Sequence, residues 1–241
     1  MRRNSTSEEN TVYVWRIELT LQEDQIQDCR KLLSPDENER ADRFYFDRDR
    51  RQFIAAHGAL RAILSEYLNI LPREVAYSYA ANGKPELASG LRESGIKFNL
   101  SHSKELAIIA VTQGLCVGVD LEFVDPELAI EEISSAFFSQ AEISTLRALP
   151  AERRRQAFFE CWTRKEAYIK ALGKGLTLPL DSFDVAFGPG VSAALLRAEV
   201  SAEELSRWSI YDITVSESYV AALVVEGEMH RLQQKQWESR S

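Results

Sequence analysis

Cysteine is scarce: Cys29, Cys116 and Cys161 are odd in number, far apart and without CxxC spacing. That pattern argues against both a disulfide framework and a zinc site, and it suits a reducing compartment. No apolar run reaches the roughly 18–20 residues that cross a bilayer, so no membrane partner is expected. The polar stretch Met1–Asn10 lacks an apolar h-region and reads as a frayed tail, not a signal peptide. A cytoplasmic protein is the expectation. Missing too is any glycine-rich loop of the Walker or Rossmann kind, so a phosphate ligand must be held by side chains and turn amides. Ser101 lacks a nucleophile-elbow context, and no aspartate follows it at a spacing that suggests a hydrolase triad. A net charge of −8 counts against nucleic-acid binding.

What is present is an ordinary globular composition, 45% hydrophobic and 27% charged over 241 residues. Basic residues cluster locally, at Arg40, Arg43, Arg48, Arg50 and Arg51 and again at Arg153–Arg155, Arg164, Lys165, Lys170 and Lys174. Such patches on an acidic chain suit a compact anion or a small acidic partner. The hydrophobic pattern predicts a strand over 11–19, a helix over 21–33, and a long helical region beginning at the cap Ser34-Pro35 and broken near Phe46-Asp47. A short strand over 76–80 is followed by the turn Asn82-Gly83-Lys84-Pro85. Strands are expected at 97–100, 106–112 and 117–123, with Ser101-His102-Ser103 as a polar turn. Helices follow at 130–138, 140–148 and 152–172, the last closed by Gly173. Short strands at 182–187, 209–215 and 219–225 surround a helical piece at 202–208. This order is α+β without regular βαβ spacing. A seam at Gln113-Gly114 divides the chain into halves, 1–114 and 115–241, with 1–10 expected disordered and the tail 226–241 expected mobile.

The chemistry concentrates in Val117-Gly118-Val119-Asp120-Leu121-Glu122-Phe123. Alternation makes it a strand, so Asp120 and Glu122 leave from one face, an arrangement that costs energy unless a cation or proton lies between them. On the later helix Trp162, Glu166 and Lys170 share a face at i, i+4, i+8. Three carboxylates together with phosphate oxygens suit Mg²⁺, or Mn²⁺ in its place, and a lysine one turn from Glu166 suits a phosphate leaving group. The plain alternative for Glu166 and Lys170 is a surface ion pair worth about 0.3–0.5 kcal/mol. A metal-dependent phosphohydrolase or a non-catalytic binding module would use similar residues. Ser101, His102 and Ser103 offer donors to phosphate oxygens. His57, in an apolar helical stretch, reads as packed, and His230 falls in the tail.

In this order the blocks are specific. Gly83-Lys84-Pro85, Phe98-Asn99-Leu100-Ser101-His102-Ser103, Val117–Glu122, Phe137-Phe138-Ser139 and Trp162–Lys170 continuing as Gly173-Lys174-Gly175-Leu176 make the chain similar to 4′-phosphopantetheinyl transferases of the surfactin-synthetase-activating type. The resemblance implies two similar α/β halves related by a pseudo-twofold, with the active site between them, and a working monomer. It implies transfer of the phosphopantetheine arm of coenzyme A, the co-substrate, to a serine of an apo acyl or peptidyl carrier protein, with release of 3′,5′-ADP. Asp120, Glu122 and Glu166 would hold Mg²⁺ with the pyrophosphate. Glu166 would act as general base, and Lys170 would stabilise the departing phosphate. Coenzyme A would be bound by Arg40, Arg43, Arg48, Lys84, Ser101, His102, Asp120 and Lys170. The sequence departs from the family at Glu37, where a lysine for the 3′-phosphate is usual, and at Phe53, where a threonine near the adenine is usual. Phe137 through Leu149 is expected to form part of the carrier docking surface.

Overall fold

The computed structural model describes residues 10–79, 83–173, 178–198 and 202–239. Five strands dominate its early and middle chain: β1 (Thr11–Glu18), the short β2 (Tyr77–Tyr79) and β3 (Pro85–Leu87), β4 (Ile96–Ser103) and β5 (Leu106–Gln113). Between them lie α1 (Glu23–Leu32), α2 (Pro35–Asp42), α3 (Asp47–Leu68) and α4 (Ser89–Arg92). After β6 (Val117–Phe123) come α5 (Ile130–Phe137), α6 (Gln140–Ala148) and α7 (Ala151–Leu172). The remainder holds β7 (Phe183–Val185), β8 (Leu195–Ala198), α8 (Ala202–Arg207), β9 (Trp208–Ile213), β10 (Tyr219–Glu226) and β11 (Arg231–Trp237). The fold is mixed α+β.

Two sheets carry the architecture, one in the order β11-β1-β5-β4 and the other β6-β10-β9. Ile17, Ile109, Val111 and Phe98 on one face of the first sheet pack under Phe53, Leu60 and Leu64 of α3. Its other face, with Val12, Val14, Ile108 and Ala110, meets Val117, Val119, Leu121, Leu223 and Val225 of the second sheet. The far side of that sheet, Val220, Ala222 and Val224, lies under Phe158, Ala167 and Ala171 of α7. The layers therefore run helix, sheet, sheet, helix. The odd residues of β6 fill the inter-sheet core, so Gly118, Asp120 and Glu122 are turned towards α7.

Two sequence expectations are corrected. Residues 231–237 of the supposedly mobile tail form β11, which pairs in parallel with β1 from Thr11↔Arg231 to Ile17↔Trp237. Its polar composition is that of an edge strand, anchored by Lys235 over the rings of Tyr13 and Trp15. Ser101-His102-Ser103 is the end of β4, not a turn; the turn follows at Lys104, whose φ is +50°. Two short strands, β3 and β8, have no alternation long enough to announce them. Residues 1–9, Asn82 and Lys174–Leu176 lie outside the described residues.

Glu37 has structural partners at the position where the family usually has a lysine. It closes a capping box with Ser34, and its carboxylate receives Arg61 Nε at 2.5 Å with His57 Nδ1 at 3.2 Å. Arg61 in turn donates to the carbonyls of Pro72 and Val75. Burial opposes the charge on Glu37, but His57, the Ser34 amide and Arg61 outweigh it and pull the carboxyl down to about 2. A depressed carboxyl stabilises the fold above the unfolded value of 4.5, and that contribution is lost as pH falls through about 2. Glu37→Gln should flatten the acid limb of the stability curve between those values, as read by denaturant unfolding at successive pH. An unchanged limb would remove Glu37 from acid stability.

Candidate active site

Strand β6 and helix α7 touch backbone to backbone. A Cβ on Gly118 would lie 2.1 Å from the Ala167 carbonyl oxygen and 2.3 Å from the Ala171 amide nitrogen. Only glycine permits that approach. It brings Glu166 and Lys170 of α7 over Asp120 and Glu122 of β6. Lys170 Nζ is 2.6 Å from Asp120 Oδ1 and 3.0 Å from Ser101 Oγ. The acidic pair, the helix lysine and the first serine thus share one cleft.

Along its other edge β6 runs beside β4, and the two are joined by side chains. Asn99 Oδ1 accepts from Val119 N at 2.8 Å, Ser101 Oγ from Leu121 N at 3.3 Å and Ser103 Oγ from Phe123 N at 3.1 Å. The hydroxyls pass their protons on, Ser101 to Asp120 Oδ1 at 2.9 Å and Ser103 to Glu122 Oε2 at 3.0 Å. Ser101 has one proton and two lone pairs, and Asp120, Leu121 N and Lys170 take up all three. Donation to a phosphate, expected from the sequence, would require giving up Asp120.

Asp120 is buried, and its Oδ2 has no hydrogen-bond partner. Burial and the neighbouring Asp120 charge push the Glu122 carboxyl up to about 7, against the pull of Ser103 and Lys170. Burial and Asp120 also raise Glu166, again opposed by Lys170. Three carboxylates that discourage one another's charge, one with an unpartnered buried oxygen, suit a hard divalent cation. Among the described residues no three His, Cys, Asp or Glu side chains converge on a ready-made metal cage. A cation here would complete its shell from the substrate, as Mg²⁺ commonly does with phosphates.

Of the residues expected to bind coenzyme A, Ser101, Asp120 and Lys170 meet in this cleft, and the other five line three hollows. His102 and Arg48 line one of about 750 Å³ with Arg51, Phe123 and Tyr219, beside Ser103. Burial, then the charges of Lys170 and His57, lowers the His102 imidazole. Arg40 and Arg43 line a second with Arg61, Arg73 and Tyr77. Arg40 lies over Phe53 at 5.1 Å, and Phe53 stacks on His57 at 4.0 Å. Lys84 lies in a third, where Nζ donates to the Lys170 carbonyl and, at 3.2 Å, to that of Val117. Burial lowers its ammonium to about 8. Lys84 therefore ties the end of α7 to the start of β6.

Sequence reasoning overlooked the pairing roles of Asn99 and Ser103, the packing role of Gly118 and the Glu37–Arg61 pair. Two signals were available. Polar residues at 99, 101 and 103 share the period of Asp120 and Glu122, and a glycine between buried valines marks a close backbone approach. Glu37 and Arg61 are 24 residues apart and have no such signal.

A family profile described as 4′-phosphopantetheinyl transferase superfamily matches residues 116–224, and one described as 4′-phosphopantetheinyl transferase, N-terminal matches residues 20–114. The 4′-phosphopantetheinyl transferase HetI of Nostoc sp. is 41% identical over 224 residues, covering 93% of this chain and 91% of that protein. The 4′-phosphopantetheinyl transferase Sfp of Bacillus subtilis is 33% identical over 153 residues, covering 64% and 66%. Among solved structures, a holo-(acyl-carrier-protein) synthase from Bacillus anthracis in complex with CoA (3′,5′-ADP) aligns at 19% identity. It covers 46% of this chain and 96% of that one, with a TM-score of 0.36.

Proposed function

The chain belongs to the 4′-phosphopantetheinyl transferase superfamily, and from that premise we propose how its cleft performs the transfer. The substrate pair is coenzyme A and an apo acyl or peptidyl carrier protein. Glu166, half-buried on α7 above Asp120, takes the proton of the carrier serine. The serine oxygen attacks the β-phosphorus of coenzyme A, its new P–O bond forms, and the bond to 3′,5′-ADP breaks. Lys170, steered by Asp120 and Ser101, offsets charge on the departing phosphate. Asp120, Glu122 and Glu166 would hold Mg²⁺, which would supply the remaining charge neutralisation. His102 and Arg48 border the hollow beside these groups and serve the phosphates. Arg40 and Arg43 serve the 3′-phosphate end, in place of the usual lysine.

The observation that carries this reading is the Lys170–Asp120 contact at 2.6 Å beside an unpartnered buried carboxylate oxygen, in a chain matched by the family along both halves. All these groups come from one chain, which supports a monomer at work. The described residues include no helix long and apolar enough to cross a membrane, and the three cysteines are free thiols, which suits the cytoplasm. A carrier docks on the side of Phe137, a reading supported by that residue's exposure beside Trp162.

The test is intact-protein mass spectrometry of an apo carrier incubated with this protein, coenzyme A and Mg²⁺, with an EDTA control. A metal-dependent gain of one phosphopantetheine group on the carrier is expected. Release of 3′,5′-ADP without a modified carrier would favour a phosphohydrolase and overturn the reading.

A further inference from the structure

The three bonds between β4 and β6 form a regular device. Acceptor and donor are separated by 20 residues at each rung, 99 to 119, 101 to 121 and 103 to 123, so the strands run parallel with a side chain standing where a backbone carbonyl would stand in a sheet. Each serine grips two consecutive residues of β6, the amide of one and the carboxylate of the residue before it. Ser101 holds Leu121 and Asp120; Ser103 holds Phe123 and Glu122. At the third rung the residue before the amide is Gly118, which has no carboxylate to hold, and there the partner is an asparagine that only accepts from the amide. A serine thus stands at each rung that has an acid.

The hydroxyl contacts are one-sided. Ser101 and Lys170 both address Oδ1 of Asp120 and leave Oδ2 buried without a partner. Ser103 addresses Oε2 of Glu122 and leaves Oε1 outside that bond. Holding one oxygen of a carboxylate while presenting the other is what the supporting groups around a metal site do. A glutamate has several rotamers to lose on binding a cation, and a hydroxyl anchored to the strand backbone removes that freedom beforehand.

We propose that Ser103 is a positioning residue for divalent-cation binding. Its hydroxyl, fixed by the Phe123 amide, sets the Glu122 carboxylate so that its second oxygen faces the cation. Asn99, Ser101 and Ser103 together align the acidic strand against the first sheet, so the metal ligands are oriented by the half of the chain that does not contain them. The inference rests on the reading of Asp120, Glu122 and Glu166 as cation ligands, and the experiment separates failure of one from failure of the other.

The experiment is a Mn²⁺ titration of the full chain with equimolar coenzyme A, following the electron paramagnetic resonance signal of free Mn²⁺ and corrected by a titration without protein. Wild type, Ser103→Ala and Ser103→Thr are compared, each with a thermal melt and with transfer rates over a range of Mg²⁺ concentrations. Ser103→Ala is expected to bind Mn²⁺ about 10-fold more weakly or worse, the usual effect of losing a group that orients a metal ligand. Its melting temperature should fall by no more than a few degrees, the cost of the Phe123 amide losing its acceptor, and its transfer rate should recover at higher Mg²⁺. Ser103→Thr keeps the hydroxyl on a residue favoured in strands and should restore wild-type Mn²⁺ affinity. Mn²⁺ affinity unchanged in Ser103→Ala, or no recovery in Ser103→Thr, overturns the positioning role while leaving the cation site standing. Wild type that binds no Mn²⁺ overturns the cation site and the inference with it.

Discussion

Glu166→Gln is expected to slow transfer by about 100- to 10,000-fold, the range in which a positioned general base contributes. The amide keeps the size of the side chain and removes both its capacity to take a proton and its negative charge. The surrounding geometry gives the carboxylate its reactivity. Burial and the charge of Asp120 raise its proton affinity, while Lys170, one turn further along α7, restrains that rise. The substitution leaves the packing of α7 untouched, because Ala167, Ile169 and Ala171, not Glu166, fill the core beneath the helix. Melting temperature should therefore hold or rise slightly, since one of three mutually repelling acids has been neutralised. Single-turnover transfer to an apo carrier, with a melt of the same sample, is the measurement. A rate close to wild type would refute Glu166 as base and ligand.

Gly118→Ala is expected to destabilise the protein by about 3 kcal/mol or more, at or above the upper end of ordinary overpacking. Small-to-large changes are tolerated when the neighbour is the end of a flexible side chain. Here the new methyl meets the Ala167 carbonyl and the Ala171 amide and Cα, which can move only if α7 moves. A shifted α7 draws Glu166 and Lys170 away from Asp120 and Glu122, so whatever folds should also transfer poorly. Gly90→Ala supplies the contrast: nothing lies within 4 Å of its added carbon, and stability and activity should both be retained. Denaturant unfolding of the two variants decides the matter. Equal stability would show that β6 and α7 have room to part.

Much of this architecture is legible in sequence because it depends on short-range patterns. The alternation of Val117, Val119 and Leu121 announces β6 and turns Asp120 and Glu122 to one face. The caps at Ser34 and Ser139 and the αL closure at Gly173 bound α2, α6 and α7 where expected. Strand β11 was not legible, since a polar edge strand has the composition of a tail until a partner edge is known. Nor was the role of the Ser101–Ser103 segment, because a polar alternation reads equally as turn and as strand when the groups it satisfies are a distant strand's amides.

The amino-acid sequence by itself determined which groups are available: two acids on one strand face, an acid and a lysine one turn apart on a helix, and an ordered set of blocks that identifies the family. It did so because periodicity and residue chemistry are local. Tertiary structure alone decided which oxygen of Asp120 faces a serine and which has no donor, how closely α7 approaches Gly118, and that Glu37 serves a buried arginine instead of a ligand. Those outcomes depend on contacts between residues 19 to 50 positions apart, set by the stacking of two sheets and two helices.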